Sequence, residues 1–142
     1  MAGTPSNNDV GEASVSIFVS DGNGGSDTAS FTLTINNRDP VLESTAISSA
    51  YEDSSYAYDI DFDDEGEGAT YSWDIKPNWL SLNTSTGEIS GIPRNSYVGD
   101  NTVSVKIDDG KGGEAYETFV LNVVNAPPVF TAAADTSIKE DS

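Results

Sequence analysis

Carboxylate side chains are the groups in this sequence whose number and placement could do chemistry. The chain has 24 Asp and Glu residues against 6 Lys and Arg residues, and its net charge is −18. Four aspartates stand out because each lies in a predicted linker, loop or turn: Asp39, Asp61, Asp63 and Asp109. Oxygen ligands of this kind suit hard cations, and calcium takes about six to eight of them in a flexible geometry. The composition therefore favours calcium as the metal that these residues would bind.

The residue types that are missing exclude several other chemistries. The chain contains no His and no Cys, which excludes zinc, haem, thiol and Ser-His-Asp sites in their usual forms. The strong negative charge argues against nucleic acid and anionic membrane surfaces as partners, because both would repel it. No apolar run approaches the length of a membrane span, so we expect no direct membrane insertion.

The elements that must position the aspartates are organised as a tandem repeat. Residues 3–42 align without a gap with residues 91–130, so equivalent positions are 88 residues apart. A fixed period of this kind is typical of an array of similar modules. We predict that residues 1–38 are the last hairpin of a preceding repeat, residues 39–126 a complete repeat and residues 127–142 the start of a following one. The same residue recurs at Gly3 and Gly91, Pro5 and Pro93, Asp21 and Asp109, Phe31 and Phe119, and Leu33 and Leu121.

Hydrophobic alternation predicts short β-strands along the chain. In residues 55–62, Tyr56, Tyr58 and Ile60 share one face and alternate with polar or small residues, which is the period of a half-buried strand. The same pattern predicts hairpins over residues 13–36 and 102–124 and further strands over residues 41–50 and 70–75. No segment has helical periodicity, and turn residues recur about every ten positions. The sequence therefore predicts an all-β fold, a sandwich or a barrel.

Such a sandwich would bring the four aspartates to one end. The loop after the second strand contains Asp61 and Asp63, the last hairpin turn contains Asp109, and Asp39 lies in the linker before the first strand. Like charges that meet there repel by roughly 1 kcal/mol per pair, and a bound dication reverses the sign. The alternative is a solvated acidic surface that keeps the protein soluble, and the residues alone leave both interpretations open.

A set of short motifs extends over most of residues 40–130. They are Trp-Leu, a Thr-Gly turn, Gly-x-Pro, Val-Gly, Asp-Gly-x-Gly-Gly and Asn-x-x-Pro, beginning at Trp79, Thr86, Gly91, Val98, Asp109 and Asn125. Together they resemble the dystroglycan-type cadherin-like family, which implies a cadherin-like or immunoglobulin-like Greek-key β-sandwich of about seven strands. Modules of that family are strung in series in large surface or secreted proteins, many of them bacterial adhesins. The resemblance thus implies a structural repeat at an extracellular or cell-surface location, with neighbouring repeats of the same chain as its partners.

The resemblance also implies calcium bound between successive repeats, where it would stiffen the array. Asp61 and Asp63 resemble the Asp-x-Asp pair of cadherins, and Asp109 resembles the aspartate of their last hairpin. Residues 37–39 and Asn125 correspond to linker ligands, and Glu52 to the early glutamate. The predicted ligands are therefore Asp39, Asp61, Asp63, Asp109, Glu52 and Asn125. The Leu-Asp-Arg-Glu element of cadherins has no counterpart after Ile89, so their full three-ion site is not implied.

Two other functions compete with a calcium-stiffened repeat. The repeat could itself bind a polysaccharide or an identical repeat, and the aromatic residues that could be exposed for this are Tyr51, Tyr97 and Tyr116. The bond between Asp39 and Pro40 is of a type that some calcium-dependent modules cut themselves. An enzyme is not expected, because about 90 residues of sandwich offer no obvious cleft in which paired carboxylates could act.

Overall fold

The computed structural model describes residues 3–63 and 68–130. Within these ranges the elements are β-strands and two short 3₁₀ turns, Asn7–Asp9 and Asn95–Tyr97. The N-terminal part is an antiparallel hairpin of strands β1 (Gly11–Ser20) and β2 (Ser26–Ile35). The described part of the chain contains no helix that is long and apolar enough to cross a membrane.

The remaining strands of the described residues lie within residues 39–126, which we call the complete repeat after its prediction, and the all-β prediction is confirmed. They are β3 (Val41–Leu42), β4 (Ser49–Tyr51), β5 (Tyr56–Asp59), β6 (Phe62–Asp63), β7 (Thr70–Ile75), β8 (Leu80–Leu82), β9 (Glu88–Gly91), β10 (Gly99–Asp108) and β11 (Glu114–Val124).

These strands lie in two layers, as an immunoglobulin-like or cadherin-like sandwich requires. One layer has the order β4–β11–β10–β7, and the other contains β5–β9–β8 together with the pair β3–β6. Strands β5 and β6 are parts of one bent strand interrupted at residues 60–61. The last strand, β11, pairs antiparallel with β10 and in parallel with β4. If β3 with β4 and β5 with β6 are each counted as one interrupted strand, the repeat has the predicted seven.

The first strand of the repeat differs from the prediction. The pattern predicts one strand over residues 41–50, but β3 pairs with β6 whereas β4 pairs with β11 in the opposite layer. The chain therefore changes layers between them. Ser44 stabilises this crossing, because its hydroxyl accepts a hydrogen bond from the Asp61 amide (3.0 Å) and donates one to the Asp61 carbonyl (3.1 Å).

The core lies between the two layers and is built from inward positions of alternating strands. In β5, Tyr56 and Tyr58 are 5% exposed, as the alternation predicts, while Ala57 and Asp59 face solvent. Burying an apolar side chain of such size contributes about 1.5–3 kcal/mol, so this face sets the register of the strand. The other layer contributes fully buried side chains at Val103, Val105, Ile107 and Leu121.

The N-terminal hairpin has the local structure of the β10–β11 hairpin, as the sequence repeat predicts. The hydroxyls of Ser16 and Ser30 lie 3.2 Å apart across β1 and β2, and those of Ser104 and Thr118 lie 2.9 Å apart at the equivalent positions. The two hairpins differ in what covers them. Side chains that are exposed in the first, such as Ile17 (56%) and Val19 (62%), correspond to the 0% exposed Val105 and Ile107 of the second.

Candidate functional site

The candidate site is the junction between the N-terminal hairpin and the complete repeat, and the turn from residues 109 to 113 is its centre. The Oδ1 atom of Asp109 accepts hydrogen bonds from the backbone N–H groups of Lys111 (2.8 Å) and Gly113 (2.9 Å). The turn needs positive φ angles at Gly110 (+72°) and Gly112 (+99°), where glycine has no steric penalty. The Asp-Gly-x-Gly-Gly motif is thus the sequence of a turn that closes around one carboxylate.

The same turn occurs in the N-terminal hairpin. The Oδ1 atom of Asp21 accepts hydrogen bonds from the backbone N–H groups of Asn23 (2.7 Å) and Gly25 (2.9 Å). The two hydrogen bonds to a charged acceptor hold the pKa of Asp21 below its ordinary value of 3.8. The turn therefore forms in both copies of the motif, and the prediction of a hairpin turn at this motif is confirmed.

A linker side chain completes the turn at Asp109. The Nδ2 atom of Asn37 donates a 2.7 Å hydrogen bond to the Oδ2 atom of Asp109, and Asp109 is only 2% exposed. Burial acts to raise the pKa of Asp109, but the hydrogen bonds from Asn37 and from two backbone N–H groups outweigh it and lower the pKa. A β-carbon on Gly113 would stand 2.7 Å from the Asn37 amide nitrogen, so only glycine fits beside this contact.

The next residue of the linker contacts strand β6 of the repeat. The guanidinium of Arg38 forms an ion pair with the carboxylate of Asp63, and the two side chains are 69% and 45% exposed. An exposed pair of this kind contributes about 0–1 kcal/mol. Arg38 therefore neutralises the charge of Asp63 at the junction, and its contribution to stability is smaller than that of the buried Asn37 contact.

A cavity of about 360 Å³ lies where the hairpin meets the repeat. The hairpin side contributes Asn7 and Val10, the linker contributes Asn37 and Arg38, and the repeat contributes Asp63. The Nδ2 atom of Asn7 is buried and has no hydrogen-bond partner among the described residues. The junction is therefore polar and large enough to hold several water molecules.

The structure brings Asp63 and Asp109 to the linker but does not gather the four predicted aspartates. Asp39 is exposed, and Asp61 takes part in hydrogen bonds through its backbone. Within residues 3–63 and 68–130, no three acidic side chains are placed to hold a metal ion together. Asp63 and Asp109 have Arg38 and Asn37 as partners, and calcium binding at these residues stays a prediction.

The two remaining predicted ligands lie at the other end of the repeat. Glu52 is 8% exposed; its backbone N–H donates to the Val124 carbonyl (2.9 Å), and its Oε2 atom accepts from the Ala126 N–H (3.0 Å). Asn125, which stands between these two bonded residues, is exposed. Glu52 therefore binds the backbone of the outgoing linker.

The sequence analysis missed a buried carboxyl at Glu117. It is 7% exposed, and the hydroxyl of Tyr58 donates a 3.2 Å hydrogen bond to its Oε1 atom. Burial raises the pKa of Glu117, and the hydrogen bond from Tyr58 offsets only part of the shift. The signal was present, since Glu117 occupies an inward position of β11 between Ala115 and Phe119.

The architecture defines an immunoglobulin-like β-sandwich repeat joined to the hairpin before it. The family described as "Putative Ig domain" (He_PIG) matches residues 39–124, more than half of the chain, and the chain belongs to that family. No curated protein sequence matches the chain. The family match does not distinguish the dystroglycan-type branch, which stays a prediction.

Solved structures similar to this chain include a glycoside hydrolase and a cadherin. The endo-fucoidan hydrolase MfFcnA4 of glycoside hydrolase family 107 is 25% identical with a TM-score of 0.56, and the match covers 88% of this chain and 20% of the hydrolase. Extracellular cadherin domains 3–6 of protocadherin gamma B2 are 18% identical with a TM-score of 0.50, over 71% of this chain and 30% of theirs. The hydrolase match covers 88% of the chain. Residues 39–142 make up less than three quarters of it, so the match must also include part of the N-terminal hairpin.

Proposed function

We propose that the chain is a spacer segment of a tandem array in an extracellular protein, in which direct contacts from each linker set the orientation of the next repeat. The immunoglobulin-like and cadherin-like fold supports a structural or adhesion-type role. One observation carries the finer proposal. Two consecutive linker residues, Asn37 and Arg38, reach two different elements of the complete repeat, the 109–113 turn at Asp109 and strand β6 at Asp63.

Contacts to a turn and to a strand limit more motions of the hairpin than a contact to one of them alone. A single hydrogen bond at Asp109 would leave the hairpin able to rotate about it, whereas a second contact at Asp63 opposes that rotation. The hydrogen bond from the partly buried Asn37 to the buried Asp109 carboxylate contributes about 1.5–3 kcal/mol, and the exposed Arg38 pair contributes less. Asn37 therefore contributes most of the stability of the junction, and Arg38 restricts the orientation of the hairpin relative to the repeat.

The proposal is tested by a distance between spin labels on the two sides of the junction. The chain contains no Cys, so Thr28→Cys on β2 and Glu88→Cys on β9 would carry the only labels. We expect one narrow distance distribution in the parent protein and a clearly broader one after Asn37→Ala with Arg38→Ala. Asn36→Ala is the matched control, because this exposed neighbour has the same side chain and should leave the width unchanged.

A second label pair separates loosening of the joint from unfolding of the hairpin. Glu12→Cys with Thr28→Cys lies within the hairpin and should give the same distribution in all variants. Equal widths for the junction pair in the parent and in the double variant would show that the linker contacts do not orient the repeats, and the proposal would be abandoned.

Calcium binding at the same junction is our second proposal, with the ion adding rigidity to the hydrogen-bonded joint. It is supported by the net charge and by the meeting of two loops, since the Gly68 carbonyl lies 3.9 Å from where a β-carbon on Gly110 would stand. The described carboxylates do not form the site by themselves. The sequence offers further carboxylates at Asp64, Glu65 and Glu67, which lie outside the described residues.

Calcium binding is tested by the melting temperature of the repeat. With a dissociation constant of about 1 mM, which is typical of extracellular modules, 10 mM calcium should stabilise the protein by roughly 1.4 kcal/mol. Asp61→Asn with Asp63→Asn should remove this gain, and magnesium at the same concentration should not reproduce it. An equal gain in the double variant would refute these two residues as ligands.

We also propose that the chain is not itself an enzyme, because the hydrolase match extends over only a fifth of that protein. A sugar-binding role is an alternative, supported by the exposure of Tyr51 (61%) and Tyr116 (50%). Tyr97, in contrast, packs against Trp79 with ring centroids 6.4 Å apart. Retarded migration in a gel containing a neutral polysaccharide, lost in Tyr51→Ala with Tyr116→Ala, would support it. Self-processing at the bond after Asp39 stays a prediction that a gel after incubation with calcium would check.

A further inference from the structure

The C-terminal end of the repeat has a counterpart to the linker asparagine of the junction. The two hairpins align position for position, so Asn125 follows β11 as Asn37 follows β2. Asn37 donates its amide to the Asp109 turn. Asn125 has no hydrogen-bond partner among the described residues, and its side chain is exposed.

Glu52 holds the backbone on both sides of Asn125. Its N–H donates to the carbonyl of Val124 at 2.9 Å, and its Oε2 atom accepts from the N–H of Ala126 at 3.0 Å. Because Glu52 is 8% exposed and lies next to β4, these bonds connect the outgoing linker to the body of the repeat. The Asn125 side chain is therefore presented from a backbone that is already ordered.

The turn that a linker asparagine would contact also forms without it. The Asp21 turn makes the same two backbone hydrogen bonds to Oδ1 as the Asp109 turn, but no hydrogen bond to its Oδ2 atom occurs among the described residues. The turn thus forms without a hydrogen bond from a linker amide. The Oδ2 atom of Asp21 is not used by the turn's own hydrogen bonds and can accept one from a partner. An amide N–H is a suitable donor to it, since a charged acceptor strengthens the bond.

We propose that Asn125 recognises the Asp-Gly-x-Gly-Gly turn of another repeat of this kind, with Glu52 as the residue that positions it. The partner is a following immunoglobulin-like repeat whose turn presents the free carboxylate oxygen. This inference rests on the proposed function, because it applies the Asn37 contact to the next junction. Ala126 stands where the first junction has Arg38, so at the second junction the asparagine acts without an ion pair beside it.

The test uses the full chain with a second copy of residues 39–126 inserted after Ala126. In that chain Asn125 and Ala126 precede the inserted Asp39 as Asn37 and Arg38 precede the original one. The measurement is hydrogen exchange of the side-chain amides by NMR. We expect the Asn125 amide to exchange at least about tenfold more slowly in the extended chain than in the original, and Asp109→Asn in the inserted copy should abolish this protection.

Glu52 variants test the positioning role. Glu52→Ala should reduce the protection of Asn125 in the extended chain, whereas Glu52→Gln keeps an acceptor oxygen and should retain most of it. An unchanged exchange rate of Asn125 on extension would overturn the recognition of the turn, and full protection in Glu52→Ala would overturn the role of Glu52. The Asn37 amide in the same sample reports on the proposed function separately: protection of Asn37 without protection of Asn125 refutes only this inference, and loss of both refutes the proposed function as well.

Discussion

Replacing Asn37 with alanine removes one hydrogen bond from a buried carboxylate, and the effect on stability follows from the structure. Asp109 is 2% exposed and loses its only side-chain donor among the described residues, the 2.7 Å bond from Asn37. A hydrogen bond to a charged group contributes about 1.5–3 kcal/mol. We therefore expect Asn37→Ala to lower the free energy of unfolding of the complete repeat by about 2 kcal/mol, or its melting temperature by about 8–16 °C.

Urea unfolding followed by tryptophan fluorescence measures this quantity for the complete repeat alone. The chain has two tryptophans, Trp73 and Trp79, and both lie in the complete repeat. Asn36→Ala is the control and should change stability by less than about 0.5 kcal/mol. In a double-mutant cycle, Asn37→Ala and Asp109→Asn should be coupled by at least about 1 kcal/mol, because each removes one side of the same bond.

The pH dependence gives a second and independent check. The pKa of Asp109 is lower in the folded protein than its ordinary value of 3.8, so the folded state binds this proton more weakly than the unfolded state. The stabilisation is present above pH 3.8 and is lost as the pH falls through the pKa of the folded protein. The difference between Asn37→Ala and the parent should narrow in the same range. If Asn37→Ala is as stable as the Asn36→Ala control at neutral pH, the reasoning is refuted. A stability difference between Asn37→Ala and the parent that does not depend on pH would also refute it.

Three further predictions follow from single contacts. Glu117→Gln should raise the melting temperature at neutral pH by roughly 5 °C. The pKa of Glu117 is raised in the folded protein, so its protonated form stabilises the fold and this stabilisation is lost as the pH rises. The gain of the variant should therefore shrink in acid, and a variant less stable than the parent at neutral pH would contradict the prediction. Gly113→Ala should cost about 1–3 kcal/mol through overpacking against the Asp109 carboxylate and the Asn37 amide. Gly25→Ala in the first hairpin should leave the tryptophan-monitored transition unchanged, and similar losses in both variants would contradict this. Arg38→Ala should cost less than about 1 kcal/mol, and that loss should shrink further in 1 M salt, where a constant loss would argue against an ion pair.

The features that the sequence predicted well are those determined by residues close together in the sequence. The alternation of Tyr56, Tyr58 and Ile60 predicted a strand with one buried face, and all three are 4–5% exposed. The Asp-Gly-x-Gly-Gly turn is equally local, because its glycines supply the positive φ angles and its aspartate accepts the turn's own N–H groups. Such elements are specified within a few residues and need no knowledge of the fold.

The features that the sequence did not predict depend on contacts between distant segments. The break between β3 and β4 reflects pairing partners in opposite layers: Leu42 pairs with Phe62, 20 positions later, and Ala50 pairs with Val123, 73 positions later. The contact between Asn37 and Asp109 joins residues 72 positions apart. The Glu52 hydrogen bond has the same character, since its Oε2 atom accepts a backbone N–H 74 residues away; its role as a metal ligand stays a prediction. An acidic side chain looks the same in the sequence whether its partner is an ion or an amide.

The distance along the chain between Asn37 and its acceptor has a consequence for biosynthesis. Asp109 belongs to the last hairpin of its repeat, so the acceptor is translated 72 residues after the donor. If the linker contacts orient successive repeats as proposed, each joint of an array gains its hydrogen bond only after the last hairpin of the following repeat has folded. The joints would then become ordered one repeat later than they are synthesised. The most recently made segment would therefore still be flexible while it passes through a narrow exit.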